Sequence, residues 1–416
     1  MAGLLPERLT HQPMFLVGLS MHYDVAIIGA GIVGLASARA ISKRFPGASI
    51  AVLDKESTVG YHQTGHNSGV LHSGLYYEPG SLKAELCVIG QRAMAEFCEA
   101  EGLAFKRSGK IVVATDESQL PAMEELLRRG TANGLQGLRR IDPDEIREIE
   151  PYCAGVAALY VPEAGVTDFQ AVAARLAEQL EGDLRLDHEV KGIRNGVGGG
   201  VEIGTNQGMV SAKVLVSCAG LHADRMAEMA GLEAPGQVVP FRGEYYQLTK
   251  EASSMINTLI YPIPDPRFPW LGVHFTRRVN GTVEVGPNAV LAMGREHYRG
   301  VRPEFLEVAQ TFAYEGFQKL AGKYWKAGAE EVWRSARRST YAKTATKLVP
   351  KIRGEHLEPG GVGVRAQIVM PDGSLVDDFM IITTDNAIHV LNAPSPAATS
   401  SLAIGQHIAN LSTAMM

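Results

Sequence analysis

The sequence predicts an α/β protein made of two interwoven domains, one built on a parallel sheet and the other on an antiparallel sheet. Three observations support this prediction. The chain has 416 residues, which is too long for a single compact core. Near its start, a short apolar run leads directly into a glycine-rich turn. Between residues 240 and 287 the pattern changes to short alternating strands that follow one another closely.

The parallel sheet is predicted to begin with the run VAII at residues 25–28, which shows no polar alternation and so indicates a strand buried on both faces. Gly29, Gly31 and Gly34 follow with G-x-G-x-x-G spacing and open a helical segment that ends near Phe45. In this pattern the first glycine permits a tight turn. The second lets the backbone approach a pyrophosphate, and the third lets the helix pack close to the strand. A helix N-terminus there favours a diphosphate.

A second apolar run, at residues 49–53, ends in Asp54, which lies 20 residues beyond Gly34. A carboxylate at this position can accept a hydrogen bond from a ribose 2′-hydroxyl. The run at 214–218 predicts a third strand, which would bring Ala219 and Gly220 close to the same ligand. Together these features predict a Rossmann-like dinucleotide site, whereas a glycine-rich turn in another α/β protein would not explain the position of Asp54. We add Lys55 and Val190 to the cofactor-binding set.

Residues 64–74 are dense in small and polar side chains and cannot build a core. They begin ten residues after Asp54, where backbone N–H groups can line the middle of an extended dinucleotide. We therefore predict that Asn67, Ser68 and Gly69 contact the cofactor. A nicotinamide enzyme would ordinarily continue into its next helix, so a large insertion here favours a flavin.

The composition bounds the remaining possibilities. The hydrophobic content of 45% and charged content of 20% are typical of a globular protein, and the net charge of −5 gives no reason to expect nucleic acid. The four cysteines form no C-x-x-C pair, which favours reduced thiols, and we expect a cytoplasmic protein without a metal site. No run approaches the ~18 apolar residues that span a bilayer.

Four segments together resemble one family. They are GAGIVG at 29–34, HNSGVLHSGLYY at 66–77, GVRAQ at 363–367 with PDG at 371–373, and NAPSPAATSSLAIG at 392–405. They resemble the FAD-dependent oxidoreductases related to glycine oxidase and D-amino-acid oxidase, over nearly the whole chain from about Tyr23 to Ile408. Within this family the chain is similar to enzymes that oxidise L-2-hydroxyglutarate to 2-oxoglutarate. The resemblance implies non-covalently bound FAD and a dicarboxylate substrate.

This interpretation divides the chain into interwoven parts. We expect residues 1–20 to be a disordered extension. A Rossmann-like FAD-binding domain would comprise residues 21–82, 151–239 and 355–416. An α+β substrate-binding domain, built on the antiparallel sheet, would comprise residues 83–150 and 240–354.

Oxidation of a 2-hydroxy acid requires hydride transfer from C2 to flavin N5 and a base for the hydroxyl proton. Histidine suits the second task near neutral pH, so we predict His72, beside the flavin loop, as the base, with His274 as the second candidate. The small-residue loop with Pro394 and Ser395 precedes a helix whose N-terminus can face a reduced flavin ring. We count both among the cofactor-binding residues.

A dicarboxylate needs cationic or hydrogen-bonding groups at both ends, and arginine provides a planar bidentate contact. Arg365 corresponds to the arginine that holds the α-carboxylate in the related amine oxidases, and we also expect it to contact the cofactor. The further substrate-binding candidates are Arg242, Asn288, Tyr76 and Gln367, with Lys351 and Tyr341 as weaker ones.

Two alternatives stay open. One is an amino-acid or amine oxidase of the same fold, and the other is a flavin-binding module without turnover. Residues 315–353 contain ten Lys or Arg and three Glu. This excess of positive charge indicates either a solvated helical face or contact with anionic lipid, at the inner face of the cytoplasmic membrane, or with an electron acceptor such as a quinone.

Overall fold

The computed structural model describes residues 21–196, 199–264, 272–298, 303–335 and 337–416. The predicted extension at 1–20 and part of the predicted loop and strand at 261–277 lie outside these residues.

The described residues form eleven α-helices. They are α1 Ile32–Arg44, α2 Leu82–Ala100, α3 Leu120–Ala132, α4 Pro143–Ile149, α5 Phe169–Glu178, α6 Ala223–Met229, α7 Lys250–Ser253, α8 Phe305–Ala313, α9 Glu315–Ser335, α10 Arg338–Ala345 and α11 Ala397–Leu411.

They also form twenty strands. These are β1 Met21–Ile28, β2 Ile50–Leu53, β3 Val70–Leu71, β4 Phe105–Lys106, β5 Lys110–Ala114, β6 Arg139–Ile141, β7 Ala157–Val161, β8 Gly165–Thr167, β9 Asp183–Arg185, β10 Val190–Asn195, β11 Val201–Thr205, β12 Gly208–Ser217, β13 Gln237–Leu248, β14 Leu259–Pro262, β15 His274–Arg277, β16 Val283–Gly286, β17 Val290–Leu291, β18 Leu357–Val369, β19 Met380–Thr383 and β20 Ala387–Asn392.

The first sheet has eight strands and a parallel centre. Strand β1 pairs in parallel with β12 and β2, β2 with β9, and β12 with β20. Strands β10, β11 and β19 add antiparallel edges. The Rossmann-like sheet predicted from the sequence is confirmed, including the strand at 214–217 beside β1. Helices α1, α2, α5 and α11 cover one face with a continuous apolar core.

Glycines decide how tightly α1 follows β1. Gly29 has φ +104°, in the region that favours glycine, and turns the chain at the end of the strand. A Cβ on Gly34 would lie 1.9 Å from the Gly29 carbonyl oxygen, so only glycine lets the helix sit this close. These are the turn and packing roles that the G-x-G-x-x-G spacing predicts.

The second sheet has nine strands in the order β17-β13-β16-β15-β14-β5-β7-β6, and β18 pairs with β13 on the other side. Nearly all neighbours are antiparallel, as predicted, although β5 and β14 run parallel. Strand β13 is longer than the predicted strand at 243–248, because β18 pairs with it from Gln237 to Leu248. The α+β domain built on an antiparallel sheet is therefore confirmed.

The two sheets divide the chain differently from the predicted boundaries. Strands β7 and β18, expected in the FAD-binding domain, belong to the nine-stranded sheet. Helix α2, expected in the substrate-binding domain, packs into the core of the eight-stranded sheet through Leu86, Met94 and Phe97. Strand and helix patterns in the sequence do not reveal which sheet a segment joins, because that depends on contacts distant in the chain.

Among the described residues, no helix combines the length and the apolar composition that crossing a bilayer requires.

Candidate active site

A cavity of about 1060 Å³ lies between the carboxyl edge of the parallel sheet and one face of the nine-stranded sheet. The carboxyl edge is where open α/β sheets bind ligands, because helix N-termini and flexible turns meet there. The volume is at the upper end for single small-molecule sites, which suits a large ligand held beside a smaller one.

At one end, the cavity is lined by the residues that follow the central strands. Of the predicted cofactor residues, the lining includes Gly29, Gly31, Asp54, Lys55, Asn67, Ser68, Val190, Ala219, Gly220, Arg365, Pro394 and Ser395. Gly34 and Gly69 are not part of it. Gly34 serves helix packing, whereas a Cβ on Gly69 would lie 2.5 Å from the Thr167 carbonyl oxygen. Gly69 thus allows close contact with strand β8 rather than with a cofactor.

The turn after β1 is built to receive a phosphate group. The Asp54 carboxylate accepts a hydrogen bond from the Ala30 N–H at 2.6 Å, which ties the end of β2 to the turn. Thr64 Oγ1 accepts from the Ile32 N–H at 3.0 Å. A Cβ on Gly31 would meet only Thr64 Oγ1, at 3.5 Å, so the protein itself leaves space there. An open cradle at a helix N-terminus fits the pyrophosphate of a dinucleotide.

Lys55 lies in a group of charged side chains at this end. Its ammonium group contacts Glu56 and lies 3.0 Å from Glu296, which also contacts His222 at 2.7 Å. Ligand atoms of Glu56, His62 and Glu296 lie within 4.8 Å of one another. Because the Lys55 ammonium contacts both carboxylates, the group is an ion-pair network that joins β2 to the segment near residue 296.

The opposite wall is one face of the nine-stranded sheet, and on β13 strand alternation decides which side chains reach it. Phe241, Gly243 and Tyr245 of β13 line the cavity, as do Arg365 of β18 and His274 of β15. Side chains of successive strand residues point to opposite faces.

Two predicted substrate-binding residues lie outside the cavity, which corrects those predictions. Arg242 lies between Phe241 and Gly243, outside the cavity lining, and its guanidinium is 3.2 Å from Glu244. Asn288 is buried outside the lining as well. Its side chain accepts a hydrogen bond from the Glu244 N–H at 2.7 Å and donates one to the Glu244 carboxylate. Both residues stabilise the sheet rather than contact the cavity.

His274 is held in one tautomer. Its Nδ1 lies 2.9 Å from the Gly272 carbonyl oxygen, which can only accept, so Nδ1 carries the proton and Nε2 is left to accept one. The imidazole stacks on the Tyr261 ring with centroids 3.9 Å apart. Burial, reinforced by the charges of Arg365 and Lys110, lowers the pKa of His274 to about 3, so the ring is neutral at physiological pH.

His72 follows strand β3 and also lines the cavity. Its Nε2 lies 3.4 Å from Ser395 Oγ, in the loop before α11. Burial and then the charge of Lys110 lower the pKa of His72 to about 3. Two neutral imidazoles, one following β3 and one in β15, therefore border the same space.

The other predicted residues differ in their surroundings. Tyr76 lines the cavity, and its hydroxyl is buried without a hydrogen-bond partner among the described residues. Gln367 lines it too, but its amide donates to the Val376 carbonyl at 2.8 Å. Tyr341 packs in the core behind the sheet, and Lys351 is exposed beside Tyr152, so both weaker candidates lie outside the cavity.

Sequence reasoning missed three residues at this site: Lys110, Tyr245 and Tyr261. Tyr245 and Tyr261 line the cavity, and Lys110 is 1% exposed in the wall behind. The signal for Lys110 was present, because a lysine opening the apolar strand KIVVA is unusual.

Comparison with known proteins decides the family. The model of the DAO family, described as FAD-dependent oxidoreductases, matches residues 24–411. The chain belongs to this family. It is 49% identical over 389 residues to the L-2-hydroxyglutarate dehydrogenase of Indibacter alkaliphilus, covering 92% of this chain and 97% of the relative. The L-2-hydroxyglutarate dehydrogenase of Escherichia coli K12 is 44% identical over 390 residues, covering 93% and 92%.

Among solved structures, the FAD-bound L-α-glycerophosphate oxidase of Mycoplasma pneumoniae superposes with a TM-score of 0.77. The sequence identity is 21%, and 94% of each chain is covered, so this likeness concerns the fold. As a member of the FAD-dependent oxidoreductases, the protein uses FAD, and the open glycine turn with Asp54 beside it fits that cofactor.

Proposed function

We propose that this FAD-dependent oxidoreductase oxidises L-2-hydroxyglutarate to 2-oxoglutarate. The observation that carries the proposal is the convergence of Arg365, His72 and His274 on one cavity in a chain 49% identical to a relative named L-2-hydroxyglutarate dehydrogenase. An arginine fork for a carboxylate and neutral imidazoles for a hydroxyl proton are the groups that a 2-hydroxy acid requires.

The residues divide the work. The Arg365 guanidinium would bind the substrate carboxylate next to C2 and so orient the C2–H bond. Bound FAD would accept the hydride that leaves C2. The hydroxyl proton would pass to an imidazole. His274 can accept it at Nε2, because the hydrogen bond to the Gly272 carbonyl keeps the other nitrogen, Nδ1, protonated. His72, which contacts Ser395 on the flavin side, is the other candidate.

The test is anaerobic stopped-flow reduction of the bound flavin. Purified protein should be yellow and release intact FAD on heat denaturation. L-2-hydroxyglutarate should bleach the flavin rapidly, whereas D-2-hydroxyglutarate, lactate, malate and glycine should be poor reductants. Lactate in particular lacks the second carboxylate and would leave a cationic site unpaired.

An amino-acid or amine oxidase is the competing function. Rapid bleaching by glycine or another amino acid, with slow bleaching by L-2-hydroxyglutarate, would replace the proposed function by this one. Absence of bleaching by every 2-hydroxy acid and amine would indicate a flavin-binding module without turnover.

We further propose that the electrons pass to a quinone at an anionic membrane surface. Helices α8 and α9 expose a set of large apolar side chains, here called the α8–α9 surface: Phe305, Leu306, Phe312, Trp325, Val332 and Trp333. Phe305 is 79% exposed and Trp325 is 62% exposed. Trp325, Val332 and Trp333 recur at helical spacing on α9, so they share one face.

The same helix, which is kinked at Tyr324, carries several lysines, and exposed tryptophans near basic residues suit the interface of a membrane. Lys319, Lys323 and Lys326 lie on α9, and Arg337 contacts the Trp333 ring at 3.7 Å. Each basic residue contributes at most about 1 kcal/mol near anionic lipid, so binding should be reversible.

Vesicle co-sedimentation tests the membrane proposal. Binding should require anionic lipid and weaken as salt rises. The double variant Trp325→Ala/Trp333→Ala should bind less. The control Tyr152→Ala, which changes an exposed tyrosine outside α8 and α9, should bind as the wild type does. A paired assay compares quinone with oxygen as the acceptor. Absence of vesicle binding, with oxygen as the faster acceptor, would identify a soluble oxidase instead. Binding that does not depend on lipid charge or salt would contradict the role of the basic residues.

A further inference from the structure

Lys110 is a buried lysine without a counterion. It is 1% exposed at the start of β5, next to Leu259 of β14 and Val161 of β7. Among the described residues, no carboxylate lies within ion-pairing distance of its ammonium group. A Cys87 thiolate would favour the charged form of Lys110. However, burial raises the pKa of the Cys87 thiol to about 12, so the thiol is neutral and provides no counter-charge.

Two aromatic rings partly compensate this charge. The Lys110 ammonium lies 4.6 Å from the centroid of Tyr76 and 5.1 Å from that of Tyr261. Both tyrosines line the cavity, and Tyr76 has a hydroxyl without a partner among the described residues. Cation–π contacts are weaker than the hydration that a buried ammonium loses. A positive charge thus remains uncompensated directly behind the cavity wall.

The position of Lys110 complements that of Arg365. The two residues lie on β5 and β18, at opposite sides of the sheet, and His274 lies on β15 between them. The positive charges of Lys110 and Arg365 both contribute to lowering the pKa values of His72 and His274. The imidazoles therefore lie near the charges of Lys110 and Arg365. Lys83 also acts on His72, but its ammonium is already paired with Asp377 at 2.8 Å. Arg365 is sufficient for the carboxylate next to C2, which leaves the charge of Lys110 for another group.

We propose that Lys110 is a specificity-determining residue whose charge, set behind Tyr76 and Tyr261, selects substrates with a second carboxylate. The proposal rests on the function proposed above and names the group that distinguishes a dicarboxylate from a monocarboxylate. The unpaired Tyr76 hydroxyl would donate to the same carboxylate. Lys110 acts from the wall and takes no part in hydride or proton transfer.

The experiment measures binding of unreactive acids to the oxidised holoenzyme through the change in flavin absorbance. Glutarate and pentanoate have the same chain length but two and one carboxylates. Lys110→Met keeps the side-chain length and removes the charge. It should weaken glutarate binding about 100-fold, the effect of one unit charge at about 6 Å in a medium of dielectric near 20, and leave pentanoate binding nearly unchanged. Lys351→Met, which removes an exposed lysine in contact with a tyrosine, is the matched control and should change neither.

A second measurement needs no variant. Burial lowers the pKa of Lys110 to about 8, so the charge is present at pH 7 and is lost as pH rises through 8 to 9. Glutarate affinity of the wild type should fall over that range while pentanoate affinity stays level, and Lys110→Met should remove the difference. A lysine with a merely structural role would lower the melting temperature on substitution and leave the ratio of affinities intact.

The outcomes separate the two proposals. An unchanged glutarate-to-pentanoate ratio in Lys110→Met, or in wild type between pH 7 and 9, would overturn the role of Lys110. Failure of L-2-hydroxyglutarate to reduce the wild-type flavin would overturn the proposed function, whatever the acids show. If Lys110→Met does not fold, the wild-type pH series decides.

Discussion

The two walls of the cavity are built in opposite ways. The cofactor wall consists of short local segments: the turn at 29–33, the carboxylate after β2 and the loop at 62–68. Its chemistry lies largely in the backbone, so glycine positions define it. The substrate wall is a sheet face whose side chains come from β5, β13, β14, β15 and β18, which are separated by up to 259 positions between Lys110 and Val369.

The two walls should therefore respond differently to substitution. Backbone geometry in the cofactor wall tolerates no added atoms at certain glycines, whereas the sheet face depends on which alternate side chains face inward. Substitutions should therefore separate into those that abolish folding or FAD binding and those that change kinetics in a folded, yellow protein.

The largest effect is expected from Gly34→Ala. The new Cβ would lie 1.9 Å from the Gly29 carbonyl oxygen, so α1 must move away from β1, at a cost above about 4 kcal/mol. Soluble expression and circular dichroism would show the loss of folded protein. Gly322→Ala, in helix α9 with no atom within 4 Å of the added Cβ, is the control and should fold normally. A well-folded Gly34→Ala protein would contradict the packing role.

On the substrate wall, His274→Asn should slow flavin reduction by about 10²- to 10⁴-fold because a proton acceptor is lost. FAD content should remain near that of the wild type. His72→Asn is the parallel variant, and the larger decrease identifies the base. Rates within about threefold of wild type in both variants would remove the imidazoles from the proton transfer.

Returning to the cofactor wall, Gly31→Val should fold but contain little FAD. The space around Gly31 is free of protein except for Thr64 Oγ1, so the added methyl groups would occupy the place of a pyrophosphate. The absorbance ratio at 450 and 280 nm measures occupancy, and the melting temperature of apo-protein, compared with wild-type apo-protein, checks the fold. Full occupancy would place the phosphate turn elsewhere.

Arg365→Lys keeps the charge but loses the bidentate fork. We expect the KM for L-2-hydroxyglutarate to rise roughly 10- to 100-fold with unchanged FAD content. Arg242→Lys is the matched control on the neighbouring strand, because Arg242 lies outside the cavity lining. Equal effects of both substitutions would contradict the alternation on which the substrate wall depends.

The smallest effect concerns acid stability. His72 and His274 have pKa values lowered by burial to about 3, below the usual 6.5. The unfolded chain therefore binds protons that the folded protein excludes, and stability falls as pH decreases from 6.5 towards 3. At pH 5.5 each histidine should reduce the free energy of unfolding by about 1 kcal/mol. Urea unfolding of apo-protein at pH 7.5 and 5.5 measures this, and His274→Asn should show a smaller decrease than wild type.

The cofactor wall could be predicted from the amino-acid sequence. The spacing of Gly29, Gly31 and Gly34, the position of Asp54 and the small-residue segment after it each state a local backbone requirement that can be read without knowing any distant contact. The same holds for the order of strands and helices and for the family, whose motifs are short and contiguous.

The substrate wall could not be predicted in this way, because it depends on how distant strands pair. Whether Arg242 or its neighbours face the cavity depends on the register of β13 with β18, and a shift of one residue would exchange them. The amide side chains of Asn288 and Gln367 could hydrogen-bond a carboxylate. In the structure, however, Asn288 hydrogen-bonds Glu244 and Gln367 hydrogen-bonds the Val376 carbonyl. Lys110 is separated from Tyr261 by 151 positions, and only the parallel pairing of β5 with β14 brings that tyrosine over its charge. Sequence patterns specify local backbone geometry, whereas the partner of a buried charge is chosen by the pairing of distant strands.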